Sequence, residues 1–221
     1  MKCWAVYQVP ESLRLLGHLD LMRSMQRVLR RSGLPIKYSQ GFNPHVLMSL
    51  AAPKPVGMAG ENELMEFTLT EPLPREAVKE AIQKALPEVM ALKGLILRDD
   101  KAAALPALVR MASYRVDFYG KPPFSARQLS DFLSQTEIPA VKTTKKGKRS
   151  YDMRPLIMQA ELKGQSLHCT LSLWEGGACR CDDFLEQLRR FAGVSEAPQV
   201  IYTRVRLLDQ KAKPLDSYAD C

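Results

Sequence analysis

The chain has 221 residues, 46% hydrophobic and 25% charged, and a net charge of +8. Those fractions match ordinary globular usage, and no apolar run approaches the ~20 residues that a bilayer-crossing helix needs. The cationic excess favours an anionic partner, with nucleic acid ahead of a membrane surface.

In chain order, Lys2–Val9 predicts a strand, and a helix follows from about Leu19. Leu21, Met22, Met25, Val28 and Leu29 share one arc of a 3.6-residue wheel, and Arg23, Arg27, Arg30 and Arg31 fall on the other. Asp20 sits in the first turn, where a negative charge suits the helix dipole. Gly33 and Pro35 end the helix. Extended pieces are expected at Pro35–Tyr38 and Val46–Leu50, joined by the loop Tyr-Ser-Gln-Gly-Phe-Asn-Pro-His at 38–45. Residues 51–62 read as a turn-rich connector, Leu64–Thr70 as a strand, the stretch after Pro74 as a helix and 90–98 as a further strand.

After a linker the pattern recurs. A strand at Ala112–Phe118 precedes a helix capped by Ser125, and Ile138–Thr143 begins another strand. Two strands pair across Gly164–Gln165. A helix over 182–193, capped by acid and stopped by Gly193, leads to a closing strand over 199–208. The order β-α-β-β-α-β, met twice, predicts an α+β chain of two tandem ferredoxin-like (split βαβ) sandwich domains. The expected boundaries are 1–99 and 111–208, with 209–221 a mobile tail.

Three groups of residues carry candidate chemistry. The arginines at 23, 27, 30 and 31 have no interleaved glutamate and suit bidentate phosphate contacts; a solvated helix face is the plainer alternative. In the 38–45 loop, Gly41 permits a positive φ and Pro44 fixes the next turn. Tyr38 and Phe42 offer stacking faces, Gln40 and Asn43 can read a base or sugar edge, and His45 can bond phosphate. The same loop also reads as a tight crossover with Phe42 plugging the core. The third group is Lys142, Lys145, Lys146, Lys148 and Arg149 around Gly147, a cationic hairpin tip that suits an RNA backbone. It lacks the paired glycines and Lys-Ser/Thr ending of a nucleotide P-loop. Asp152 and Arg154 are expected to orient its base as an ion pair.

His18 and His45 flank the arginine helix and its loop. If they converge, they form a base and acid for RNA cleavage through the 2′-hydroxyl, a plan that tandem ferredoxin-like endoribonucleases share by architecture alone. His168 alternates within a strand and reads as structural. The five cysteines are odd in number and lack framework spacing, which fits free thiols in the cytoplasm. Cys179 and Cys181 have no second ligand pair for zinc. The N-terminus has no signal-peptide pattern, and neither a metal nor a cofactor is expected.

The segments Gly17–Asp20, Arg23–Arg31 and Tyr38–His45, with the later block Ile138–Ile157, resemble the signature regions of a bacterial family of radical SAM-linked proteins of unknown function. Gly17 departs from that pattern, which carries Ser there, and removes a capping hydroxyl. The resemblance implies an accessory or substrate-presenting role beside a radical SAM enzyme, in RNA modification. A protein-docking adaptor that binds no RNA is the remaining alternative.

Overall fold

A computed structural model describes residues 1–144, 147–174 and 177–218. In chain order its elements are β1 (Lys2–Val9), α1 (His18–Arg31), β2 (Met48–Leu50), β3 (Met58–Thr68), α2 (Arg75–Ala85), β4 (Leu92–Arg98) and α3 (Leu105–Leu108). Then follow β5 (Met111–Phe118), α4 (Ala126–Leu133), β6 (Pro139–Thr144), β7 (Gly147–Asp152), β8 (Ile157–Lys163), β9 (Ser166–Trp174), β10 (Gly177–Ala178), α5 (Cys181–Phe191) and β11 (Val200–Leu208). The chain is α+β, and no described helix is long and apolar enough to cross a membrane.

Contacts divide it into two compact units, Met1–Val109 with Thr203–Cys221, and Arg110–Tyr202. The strand read as closing the second domain is therefore split between the units, and the segment after 208 counts with the first.

In the first unit β1 lies between β3 and β4, antiparallel to both, and β2 pairs antiparallel with β3. The apolar stripe of α1 that the sequence marks is buried through Leu21, Met25, Val28 and Leu29. It meets Val78 and Ile82 of α2 and Cys3, Ala5, Tyr7 and Val9 of β1 in one core. Each such large apolar side chain contributes about 1.5–3 kcal/mol on burial. The opposite face of β1 is also covered: Trp4 is fully buried and donates to Glu66, which accepts from the Leu105 amide as well.

Two expectations change here. β3 begins at Met58, inside the stretch read as connector, because Ala59, Gly60 and Glu63 are buried strand positions rather than turn positions. Residues 209–218, which show no periodicity, carry a 3-10 turn at Leu215–Ser217 and a bridge from Leu208 to Pro214, with Leu215 fully buried.

In the second unit β9 pairs antiparallel with β5, β8 and β10, and Val200–Tyr202 of β11 belong to it. Ser125 caps α4 as expected, completing a reciprocal capping box with Gln128. The acid cap foreseen for α5 is absent: the helix starts at Cys181 behind Arg180, which makes no side-chain cap bond, and Asp182 and Asp183 lie inside the first turn. There they favour the helix dipole without capping it. Phe132 of α4 packs against Phe184 and Phe191 of α5 with ring centroids 6.1 and 5.4 Å apart. β6 and β7 form a separate two-stranded sheet inserted between α4 and β8.

Candidate functional site

The arginines of α1 do not behave alike. Arg23 is paired with Asp20 one turn back, at 3.3 Å. Arg31 reaches the C-terminus of α2 and donates to the Ala85 carbonyl at 2.8 Å. Arg27 and Arg30 are exposed and have no partner among the described residues. The expected four-arginine face is thus two uncommitted cations flanked by two engaged ones. As the sequence implied, Gly17 caps α1 without a side-chain bond.

The 38–45 loop is a closed hairpin turn. Tyr38 bridges to Val46, the Ser39 amide donates to the His45 carbonyl, and the Ser39 hydroxyl accepts from the His45 amide at 3.1 Å. That hydroxyl also lies 2.8 Å from His45 Nδ1. Gly41 has φ 128°, which a side chain rarely adopts. The alternative in which Phe42 plugs the core is excluded: its relative exposure is 106%. Gln40, Asn43 and His45 are exposed beside it, and Tyr38 is 39% exposed. A ring held in water by a rigid turn loses little entropy on meeting a ligand.

The two histidines are placed differently. His18 opens α1, with Nδ1 buried and without a hydrogen-bond partner, whereas His45 is exposed and tied to Ser39. No hydrogen bond joins them among the described residues.

Sequence reasoning missed a buried group of charges in the first unit. Arg204 is 1% exposed and forks onto Glu63. Its Nε donates to Glu63 at 2.8 Å, and its other nitrogens reach the carbonyls of Pro53 and Ala52 at 2.9 and 3.1 Å. Lys54, 2% exposed, sends its ammonium to the carbonyls of Arg14, Leu16, Pro55 and Met58. Burial lowers the Lys54 pKa and Glu63 opposes that shift. These cations fix residues 52–58 against the entry to α1. The only signal in the sequence was a charged residue within each apolar strand or turn.

In the second unit the basic hairpin is rooted firmly. Asp152 accepts from the amides of Ile138 and Arg154 at 2.8 and 2.9 Å. The Arg154 guanidinium turns away to the carbonyls of Leu133 and Ile157. The expected Asp152–Arg154 ion pair is therefore replaced by separate backbone contacts. Lys142 and Arg149 face each other in register across β6 and β7. Lys148 and Arg149 are exposed, while Lys145 and Lys146 lie outside the described residues.

At the hairpin's foot is a cavity of about 450 Å³ lined by Lys142, Arg149, Tyr151, Leu156, Trp174 and Gly177, among others. Trp174 is 49% exposed, and the Arg110 guanidinium lies 5.6 Å from its ring centroid. Burial, with Cys179 and Asp183 nearby, pushes the Tyr151 phenol up to about 12, so it remains an O–H donor. Behind it Cys169, Cys179 and Cys181 are buried free thiols. Burial pushes Cys179 to about 12, far from a reactive thiolate. No group of His, Cys, Asp and Glu among the described residues is arranged to hold a metal. A larger depression of about 800 Å³ between α1 and α2 sets Glu80 and Glu88 beside Arg31 and Lys84, a mixed charge that favours no anion.

No curated protein matches the chain. A family model does, along residues 2–181, a span that takes in α1, the 38–45 loop, the buried Lys54–Glu63 segment and the basic hairpin. The chain therefore belongs to the DUF2344 family, described as an uncharacterized protein conserved in bacteria.

Proposed function

We propose that the protein binds RNA and presents it as substrate to a radical SAM enzyme, without itself catalysing a reaction. The observation that carries the RNA reading is Phe42, fully exposed on a turn locked by Ser39 and His45. Polar readers stand around it, and Arg27 and Arg30 are left uncommitted on the preceding helix. Exposed aromatics stack on bases and arginines neutralise phosphates, a combination typical of unpaired RNA recognition. The partner enzyme rests on the resemblance of residues 17–45 and 138–157 to radical SAM-linked proteins.

The same proposal extends to architecture. In the first unit the order β4-β1-β3-β2, with every pairing antiparallel, supports a ferredoxin-like fold. With β6 and β7 set aside, β5-β9-β8 of the second matches the β1-β3-β2 part of that order, again with antiparallel pairings.

A docking role has its own support. Leu15, Leu19 and Val56 are 70%, 65% and 65% exposed on segments that Lys54 ties together. An apolar group on a rigid base suits contact with the enzyme.

The test is fluorescence anisotropy of labelled RNA fragments across a salt series. Affinity is expected to fall with salt, and Arg27→Glu/Arg30→Glu should weaken binding and reduce the salt slope by about 2, one per lost phosphate contact. A folded wild-type protein that binds no RNA at low salt overturns the reading.

A further inference from the structure

The cleft at the foot of the basic hairpin contains an electrostatic arrangement that the fold does not need. Lys142 and Arg149 are direct cross-strand partners. Like charges placed opposite each other destabilise a strand pair. No carboxylate lies within salt-bridge distance of either among the described residues: Asp152 lines the cleft but accepts from the Ile138 and Arg154 amides, and Asp183 acts on Lys142 only from farther off. An anion seated between the two cations would remove the repulsion. The root is fixed by the Asp152 contacts, so the two charges are presented at a set place.

The remaining walls suit a flat ring. Trp174 is half-exposed, and the Arg110 guanidinium over its ring holds the indole by cation–π attraction. Tyr151 adds a second ring and a hydroxyl donor. Gly177 lets the backbone close on Leu156, since a Cβ there would lie 2.8 Å from Leu156 Cδ2. The volume of about 450 Å³ falls within the range of small-ligand clefts, and is far too small for a duplex.

We infer that this cleft receives one unpaired nucleotide of an RNA strand, its base against Trp174 and Tyr151 and its phosphate between Lys142 and Arg149. The inference rests on the RNA reading above and adds a second contact site and a single-stranded substrate class. Neither Trp174 nor Tyr151 was singled out by the sequence.

The chain supplies its own reporter. It has two tryptophans: Trp4 is buried and hydrogen-bonded, and Trp174 is half-exposed. Titration of the full-length protein with an eight-nucleotide oligoadenylate, followed by tryptophan emission and by anisotropy together, is expected to give saturable quenching. Trp174→Phe should abolish the quench. Trp174→Ala should weaken binding at least ~5-fold, the lower limit for loss of one stacked base. Arg149→Glu should also weaken the quench, whereas Arg27→Glu/Arg30→Glu, in the other unit, should leave it attainable at higher oligonucleotide concentration.

Binding by anisotropy without quenching would overturn the cleft and leave the RNA reading intact; no signal by either readout would overturn both. An equal quench from inorganic phosphate would overturn the stacking role. Undiminished affinity in Arg149→Glu would overturn the phosphate seat.

Discussion

The cations of the two units are used in opposite ways. In the first, Lys54 and Arg204 are buried, and each donor finds a carbonyl or carboxylate within the protein. In the second, Lys142 and Arg149 are exposed, face each other and have no acceptor at contact distance among the described residues. A charge that is fully satisfied internally stabilises the fold and offers nothing to a ligand. A charge that is set against its like weakens the fold slightly and gains when an anion arrives. Net charge alone, at +8, does not distinguish these roles; burial and partner geometry do.

The comparison can be broken most forcefully at Arg204. Arg204→Ala leaves Glu63 buried without its partner, and should cost about 3–5 kcal/mol, read as a lower urea midpoint. A loss below 1 kcal/mol would mean that water reaches Glu63 and that the pair is not closed. The hairpin should respond with the opposite sign. Arg149→Glu turns a like pair into an opposite one across β6 and β7, and should stabilise the protein by about 0.2–1 kcal/mol while it weakens RNA binding. Destabilisation by that variant would remove the electrostatic argument for the cleft.

The smallest effect comes from Glu186 on α5, an ion pair of ordinary surface type. The hydrogen bond from Arg189, opposed by burial and aided by a weaker one from Arg190, holds its carboxyl at about 2, below its usual 4.5. A depressed carboxyl stabilises the fold above its unfolded pKa, and that contribution is lost as pH falls towards 2. Glu186→Gln should therefore lower Tm slightly at neutral pH, by less than about 1 kcal/mol in stability. The difference between variant and wild type should vanish near pH 2.

Much of the architecture was legible because its elements are amphipathic. The stripe Leu21, Met25, Val28 and Leu29 identified α1 and its buried face, and Ser125 marked the start of α4. The early start of β3 was hidden by Gly60, Glu61 and Asn62, residue types that ordinarily signal a turn. Here Gly60 is required because a Cβ would collide with the Glu63 side chain. The buried charges were illegible for a related reason. Glu63 and Arg204 are polar within apolar strands, and only the fold reveals that residues 141 apart in sequence neutralise each other.

For the candidate site, residue types were read correctly but not their commitments. Four arginines on α1 were visible, yet that Arg23 and Arg31 are already engaged depends on Asp20's rotamer and on where α2 ends. Phe42 had two readings, core plug or exposed ring, that no local pattern separates. Trp174 gave no signal, because its exposure depends on the position of β10 and on residues far away along the chain.

The hairpin of β6 and β7 is closed at its root by the Met153 amide on the Ile138 carbonyl and by Asp152 on the Ile138 amide. Among the described residues its two strands form a sheet of their own. Its arms are therefore mechanically insulated from the strands that follow, and residues gained or lost at the tip transmit no register shift to β8 or β9. Such a module is a natural place for relatives to differ in reach, tuning how far the cations extend without reopening the folding problem of the unit that carries them.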